Sequence, residues 1–386
     1  MLIGLDARTI YSPSRRGTGK NLIDLYSTLA TVRPDWRIIA YHRGGGAAQE
    51  PLLPADTVTP RAVEMIGDRF DAWQQFRLPM AAWRDGVDIL HCPANTCPNW
   101  MTTLTIVTIH DLIPLDMPQQ HPTDFVHRFT QSVRTATRRA AWIICPSAYT
   151  RDRLVSEFDA DPSRITVNPW AADRSVRLID EETCRWVRHR YNLDKRVILH
   201  FGANSRAGLR KNTRRVIEAW SLLKQSQRAG WELLIVGLDE GAMQEFRRTV
   251  HRLNVATSVH LNGFADEADV PALLSIAEIL AYPSLSEGFG LPILDAWQTD
   301  TAVLASNVTA IPEIALDAAH LVDPMDTCAI ANGLRRLMND RCYREELINR
   351  GRQQRQRYTW EATAYRFAWT VEQAVALSRR SIRRAA

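Results

Sequence analysis

The chain has 386 residues, 45% of them hydrophobic and 24% charged, and its 48 basic against 43 acidic side chains leave a net charge of +5. This composition excludes a disordered, collagenous or disulfide-stapled chain, and because single hydrophobic cores stop growing near roughly 250–300 residues, two domains are expected. Arg379, Arg380, Arg383 and Arg384 supply +4 of the charge within the last nine residues. The nearly neutral body lacks the basic stripe of a nucleic-acid binder, and the tail reads either as a solvated end or as a contact for anionic lipid.

The N-terminus, Met1 to Asp6, lacks the basic flank and apolar core of a signal peptide. No window holds the roughly 18 apolar residues of a membrane span, so a cytoplasmic protein is expected, at most peripheral at the inner membrane face. The six cysteines, Cys92, Cys97, Cys145, Cys184, Cys328 and Cys342, form no C-x-x-C pair and no cluster with histidine. Neither a zinc site nor a disulfide framework is expected.

Short apolar runs alternate with longer amphipathic ones, the pattern of parallel sheets covered by helices. In chain order the predicted strands are Leu2–Leu5, Arg37–Tyr41, Asp88–Cys92, Leu104–Ile109, Trp142–Cys145 and Arg164–Val167. The helix at Asn21–Val32 has apolar Leu22, Leu25, Tyr26 and Leu29 on one face. The pattern lapses over Asn168–Asp194 and restarts at Val197. It then predicts strands Glu232–Val236, Val259–Leu261, Ile279–Tyr282, Ala302–Ala305 and His320–Val322, with helices at Thr213–Lys224 and Ala272–Ala277. Thr359–Arg380 is helical in pattern with no strand after it. The expected fold is α/β: two doubly wound, Rossmann-like parallel-sheet domains at 1–180 and 181–358, with 359–386 packing back on the first. Ligands of such sheets lie beyond the carboxyl ends of the strands, so two facing domains are expected to bind in the cleft between them.

The most informative segment is Pro283 to Asp295, where a predicted strand ends, Gly288 and Gly290 permit a tight path, and Pro292 suits the first turn of a helix. The N–H groups of that turn suit an anion, and Glu287 and Asp295 suit sugar and ribose hydroxyls. Asp159-Ala160-Asp161, beside Pro162, reads as a turn and not as a metal motif. His91 and His200 read as structural. The twelve tryptophans, among them Trp73, Trp83, Trp100, Trp170 and Trp297, read mostly as packing, with exposed ones available to lipid or sugar.

The run Glu287-Gly288-Phe289-Gly290-Leu291-Pro292 with Asp295 resembles the E-x7-E signature of the retaining glycosyltransferases of family four, which have the GT-B fold. In the same order stand Arg16-Gly17-Thr18-Gly19-Lys20, His110-Asp111-Leu112-Ile113-Pro114, Arg210-Lys211-Asn212, Ala305-Ser306-Asn307 and Ile311-Pro312-Glu313, so the resemblance runs from Gly4 to about Trp369. It implies that Glu287 meets the donor sugar at the reacting centre and that Asp295, an aspartate where the family usually has glutamate, binds the nucleotide ribose. It also implies that Lys211 binds the pyrophosphate with an arginine, either Arg206 or the favoured Arg210, and that His110 lies near the donor sugar. Gly17 and Gly19 would let backbone approach phosphate or acceptor, and Gly288, Phe289, Gly290 and Leu291 would line the donor site.

The reaction implied is transfer of a sugar from a nucleotide diphosphate donor, first GDP-mannose, to a polysaccharide or lipid-linked oligosaccharide acceptor, with no metal or other cofactor. A UDP-sugar donor and a non-catalytic nucleotide-sugar-binding subunit are the alternatives, with an epimerase or phosphorylase of the same fold behind them. A dinucleotide oxidoreductase fits less well, because the first glycine segment is too long for a G-x-G-x-x-G fingerprint.

Overall fold

The computed structural model describes residues 1–12, 15, 17–44, 52–65, 72–202 and 208–385, with side chains described except at 208, 209 and beyond 378. The chain forms two units, one of Met1–Leu115, Pro122–Trp170 and Thr359–Ala386, the other of Asp116–His121 and Ala171–Tyr358. The change of unit at 170/171 precedes the boundary expected at 180/181.

Among the described residues, the first unit holds a seven-stranded parallel sheet ordered β3-β2-β1-β4-β5-β6-β7. Its strands are β1 (Leu2–Asp6), β2 (Arg37–His42), β3 (Val58–Ala62), β4 (Ile89–Cys92), β5 (Thr105–Thr108), β6 (Trp142–Cys145) and β7 (Ile165–Val167). β4, β5 and β6 are buried at every residue, as expected of strands covered on both faces. β3 has no counterpart in the sequence reading, for a physical reason. Its sequence V-T-P-R-A is exposed after Val58 and contains Pro60, a residue that a parallel sheet tolerates at its edge.

The first helix, Gly17–Val32, begins four residues before the predicted Asn21. Gly17–Lys20 therefore form its first turn and not a loop. Gly19 makes this possible: a Cβ there would stand 2.3 Å from the Thr9 carbonyl oxygen. The last helix, Trp360–Ala385, packs on this unit. Its Phe367 lies edge-on to Tyr26 at 5.7 Å and 5.0 Å from the His91 ring, while Asn168 Nδ2–H donates to the Thr363 carbonyl at 3.1 Å. His91 is buried between the Tyr26 and Thr108 hydroxyls, 2.8 Å from each. Asp159, at φ +52°, ends the helix Ala148–Phe158, and Asp161 accepts the Ser163 N–H, which makes the D-A-D run a turn.

The second unit holds, among the described residues, a six-stranded parallel sheet ordered β10-β9-β8-β11-β12-β13. Its strands are β8 (Arg196–Phe201), β9 (Trp231–Val236), β10 (Val259–Leu261), β11 (Ala277–Tyr282), β12 (Ala302–Ser306) and β13 (His320–Val322). Trp220, Trp231, Ile279, Leu304 and Leu334 anchor its core. Two helix bounds differ from expectation: Thr213–Leu222 stops before Lys224, and Val270–Ile276 begins at a proline-led turn before Ala272. In each sheet the strand order reverses once, between β1 and β4 and between β8 and β11. Among the described residues no helix is long and apolar enough to cross a membrane.

Candidate functional site

The reversal between β8 and β11 opens the second sheet at the place where loops beyond neighbouring strand ends diverge and a ligand can enter. The short helix Gly208–Lys211 follows β8, and the segment Pro283–Gly290 follows β11. Backbone and side chain tie the two together. Leu285 N–H donates to the Arg210 carbonyl at 2.8 Å. Asn212, at φ +64°, sends its side-chain amide to the carbonyls of Pro283 at 3.0 Å and Pro324 at 2.6 Å. A buried asparagine thus makes the sharp turn between two helices and clamps the loop opposite.

The result is a cluster of three charges. Glu287 Oε1 lies 2.9 Å from Lys211 Nζ and 2.5 Å from Arg210 Nη1. Arg210 also donates to the Ser286 carbonyl at 3.1 Å, and the Glu287 N–H donates to Thr309 Oγ1 at 3.2 Å. Lys211 Nζ donates to the Tyr282 hydroxyl at 3.0 Å and stands 4.6 Å from the centre of that ring. Burial alone would push the Glu287 carboxyl up, but Arg210, Lys211 and the Tyr282 hydroxyl together outweigh it and hold the carboxyl at about 2. Burial, aided by the neighbouring Arg210, pushes Lys211 down to about 8 against the pull of Glu287. Two cations share one carboxylate, so the cluster carries a net positive charge near neutral pH.

Beyond Glu287 the chain reaches Gly290 at φ +111°, where a Cβ would stand 2.7 Å from Ile311 Cδ1. The helix Leu291–Gln298 starts there with Pro292 in its first turn. Phe289 is buried edge-on against Tyr358 at 5.8 Å, and Asp295 Oδ1 accepts the Asp173 N–H at 3.1 Å. Gly288 lies between Glu287 and Phe289 on the same loop, and Leu291 is half-buried at the helix start. His200 sits beneath, hydrogen-bonded to the Ala281 carbonyl and Thr213 hydroxyl, and burial pushes its imidazole down to about 4.

In the first unit, His110 follows β5. Its N–H is taken by the Asn95 side chain at 2.6 Å, Nε2 donates to the Pro93 carbonyl at 2.6 Å, and its ring stacks on Trp170 at 5.7 Å. Burial pushes the imidazole down against the opposing pull of the Pro93 carbonyl. Gly17 and Gly19 both lie in the first turn of the first helix, Gly17 with open space around it. Thus Arg210, Lys211, Glu287, Gly288, Phe289, Gly290, Leu291 and Asp295 lie on two helices and one loop of the second unit, whereas His110, Gly17 and Gly19 belong to the first. Arg206 lies outside the described residues.

Sequence reasoning missed Tyr282, Asn212 and Thr309. It also missed the bidentate pair at the first sheet's reversal: Arg8 meets Asp6 at 2.8 and 2.7 Å, both buried, and lies 4.8 Å from the Trp73 ring. The available signal was an Asp-x-Arg directly after an apolar strand.

Residues 16–176 match the model of Glycosyltransferase Family 4, and residues 188–354 that of glycosyl transferases group 1. The two matched stretches together span most of the chain, and both are glycosyltransferase models. O-antigen chain mannosyltransferase B of Escherichia coli is 28% identical over 327 residues, covering 84% of this chain and 80% of that one. The serotype-specific mannosyltransferase WbdA of Escherichia coli is 26% identical over 278 residues, covering 71% of this chain, which spans only 33% of that protein. Among solved structures, sucrose-phosphate synthase from Thermosynechococcus elongatus superposes with a TM-score of 0.77 at 18% identity, covering 98% of this chain and all of the other (100%). Anabaena Alr3699/HepE in complex with UDP-glucose superposes at 0.73 with 17% identity, covering 96% of this chain and 99% of that one. The fold is GT-B, and the chain is a glycosyltransferase.

Proposed function

We propose that this glycosyltransferase moves mannose from GDP-mannose, with retention at the anomeric carbon, to a hydroxyl of a growing surface polysaccharide or lipid-linked oligosaccharide. The observation that carries the reading is the Arg210–Lys211–Glu287 cluster at the reversal of the second sheet. The two cations meet the charge that grows on the leaving diphosphate, electrostatic work that a buried, preorganised site does well. Glu287 holds the sugar, and Asp295 the ribose. A carboxylate held at about 2 is a weak nucleophile, which favours same-face attack assisted by the leaving diphosphate over a glycosyl-enzyme intermediate. The charge supplied by Arg210 and Lys211 makes a metal unnecessary, so turnover is expected to survive EDTA. The mannosyltransferase relatives support the sugar, and HepE's complex with UDP-glucose favours one second reading, a UDP-linked donor.

A melting-temperature panel of GDP, UDP, ADP and dTDP with their sugars tests the donor, since a ligand that binds only the folded state raises the transition. Selective stabilisation by GDP and GDP-mannose is expected. A UDP-only shift moves the reading to a UDP-sugar, and no shift with any nucleotide overturns the donor site. Glu287→Ala and Lys211→Ala are each expected to abolish transfer while leaving the protein folded. Coupling constants of the product's anomeric proton test retention.

A further inference from the structure

The chain between β3 and β4 forms a helix whose outward face breaks the usual rule for a surface helix. A π-helical turn, Trp73–Arg77, runs directly into the α-helix Leu78–Arg84. Trp73, Gln74, Leu78, Pro79, Ala81 and Ala82 form the buried stripe. The opposite stripe is Phe76, Arg77, Met80, Trp83 and Arg84, at helical spacing, all exposed. Three large apolar side chains thus stand where charged and polar ones belong, with Phe76 66%, Met80 43% and Trp83 63% exposed.

A second segment extends the patch. The loop after β4 is tied to this helix by Asn99 N–H donating to Gln75 Oε1 at 2.6 Å and Thr102 Oγ1 donating to the Pro79 carbonyl at 3.0 Å. That loop presents Trp100, which is 65% exposed. Arg139, at the end of the helix Thr123–Arg139, bonds the Asn99 carbonyl and adds a third arginine. Residues 72–84 contain two arginines and no acidic residue. The nearest acid after them, Asp85, is engaged by the Tyr41 hydroxyl at 2.7 Å and by Arg61.

Contiguous exposed apolar surface of this kind marks an interaction site. Its charge decides the occupant. Tryptophan, phenylalanine and methionine with Arg77, Arg84 and Arg139 beside them complement a surface with an apolar interior and an anionic skin, the make-up of a helix lying in a lipid interface. We propose that the stripe Phe76–Arg84, with Trp100 and Arg139, docks the first unit onto an anionic phospholipid surface. The basic end at 379–386 is then a secondary contact at most. The inference rests on this surface and not on the donor reading. Only its use, bringing a lipid-linked acceptor within reach, depends on the proposed function.

The test is flotation of the full chain with vesicles of phosphatidylethanolamine and phosphatidylglycerol, with phosphatidylcholine vesicles as control and no nucleotide present. Wild type is expected to float with the anionic vesicles, less so at high salt, and its tryptophan emission to shift to the blue. The triple change Phe76→Ser, Met80→Ser, Trp83→Ser and the double change Arg77→Gln, Arg84→Gln are each expected to lower the bound fraction at least tenfold, whereas removing 379–386 keeps most of it. The double change retains every apolar contact and guards against misfolding of the triple. Wild type that does not float, variants that float like wild type, or binding lost only with the tail would overturn the proposal. So would a concentration-dependent dimer in light scattering that the triple change abolishes without any vesicle binding, since the stripe would then seat a second copy. The melting-temperature response to nucleotides is read separately, so failure of this surface and failure of the donor reading give different results.

Discussion

On the proposed reading, Lys211 is placed where two demands meet, since a leaving diphosphate needs a cation and burial disfavours one. Its amine sits at about 8, so it is mostly charged at neutral pH and loses its proton as pH rises through that value. Donor kcat/KM is therefore expected to fall with a limb near pH 8, measured as a pH profile of initial rates. Lys211→Arg, which does not titrate in this range, should remove that limb at whatever activity it retains. Glu287 bears on stability at acid pH. Its carboxyl lies at about 2 in the folded chain against 4.5 for the free group. The stability it contributes is thus present above pH 4.5 and lost as pH falls from there toward 2. Stability measured by denaturation should fall more gently across that window in Glu287→Gln than in wild type. The site's charged members were legible because carboxylate, lysine and arginine stood in ordered motifs next to glycines. Tyr282 was not, because an aromatic at the end of an apolar strand reads as core until the fold shows Lys211 on its ring and hydroxyl. Asn212 was legible only as one letter of a motif; its use as a clamp on Pro283 and Pro324 depends on contacts 71 and 112 residues away.

The glycines at the helix starts separate backbone requirements from ligand requirements. Gly290 combines a left-handed φ of +111° with a Cβ position 2.7 Å from Ile311 Cδ1, so Gly290→Ala strains the backbone at a cost of about 1–3 kcal/mol and also shifts the first turn of the Leu291–Gln298 helix. Both a lower melting temperature and a weaker nucleotide response are expected. Gly19→Ala drives a methyl against the Thr9 carbonyl and should destabilise without touching the second unit. Gly17→Ala differs, because nothing lies within 4 Å of its added Cβ and alanine outranks glycine in a helix interior by roughly 0.5–1 kcal/mol. If the Gly17→Ala protein melts no lower than wild type yet transfers more slowly, Gly17 serves ligand approach; equal transfer leaves it a spacer. At this scale the sequence showed the interior strands well, since β4, β5 and β6 carry adjacent apolar residues, Ile89-Leu90, Ile106-Val107 and Trp142-Ile143-Ile144. It failed at β3, where edge position permits Pro60 and an exposed face, so neither periodicity nor hydrophobicity marks the strand.

At the scale of the whole molecule, the chain leaves the first unit at Trp170 and returns to it at Thr359, and this return has an energetic consequence. Phe367 is buried against Tyr26 and His91, and Thr370 Oγ1 donates to Thr166 Oγ1 on β7 at 3.1 Å. The last helix is therefore part of the first unit's core. Phe367→Ala should cost about 3–5 kcal/mol, the usual range for emptying a buried phenylalanine site. The Arg210–Lys211–Glu287 cluster lies wholly in the second unit, so the two perturbations address different cores. Calorimetry is expected to resolve two transitions, one lowered by Phe367→Ala and the other raised by GDP-mannose. A single transition moved by both would mean that the two units melt together. In that case Phe367→Ala would lower the shared transition with no change at Lys211 or Glu287, and the nucleotide-dependent rise in melting temperature would persist in the variant.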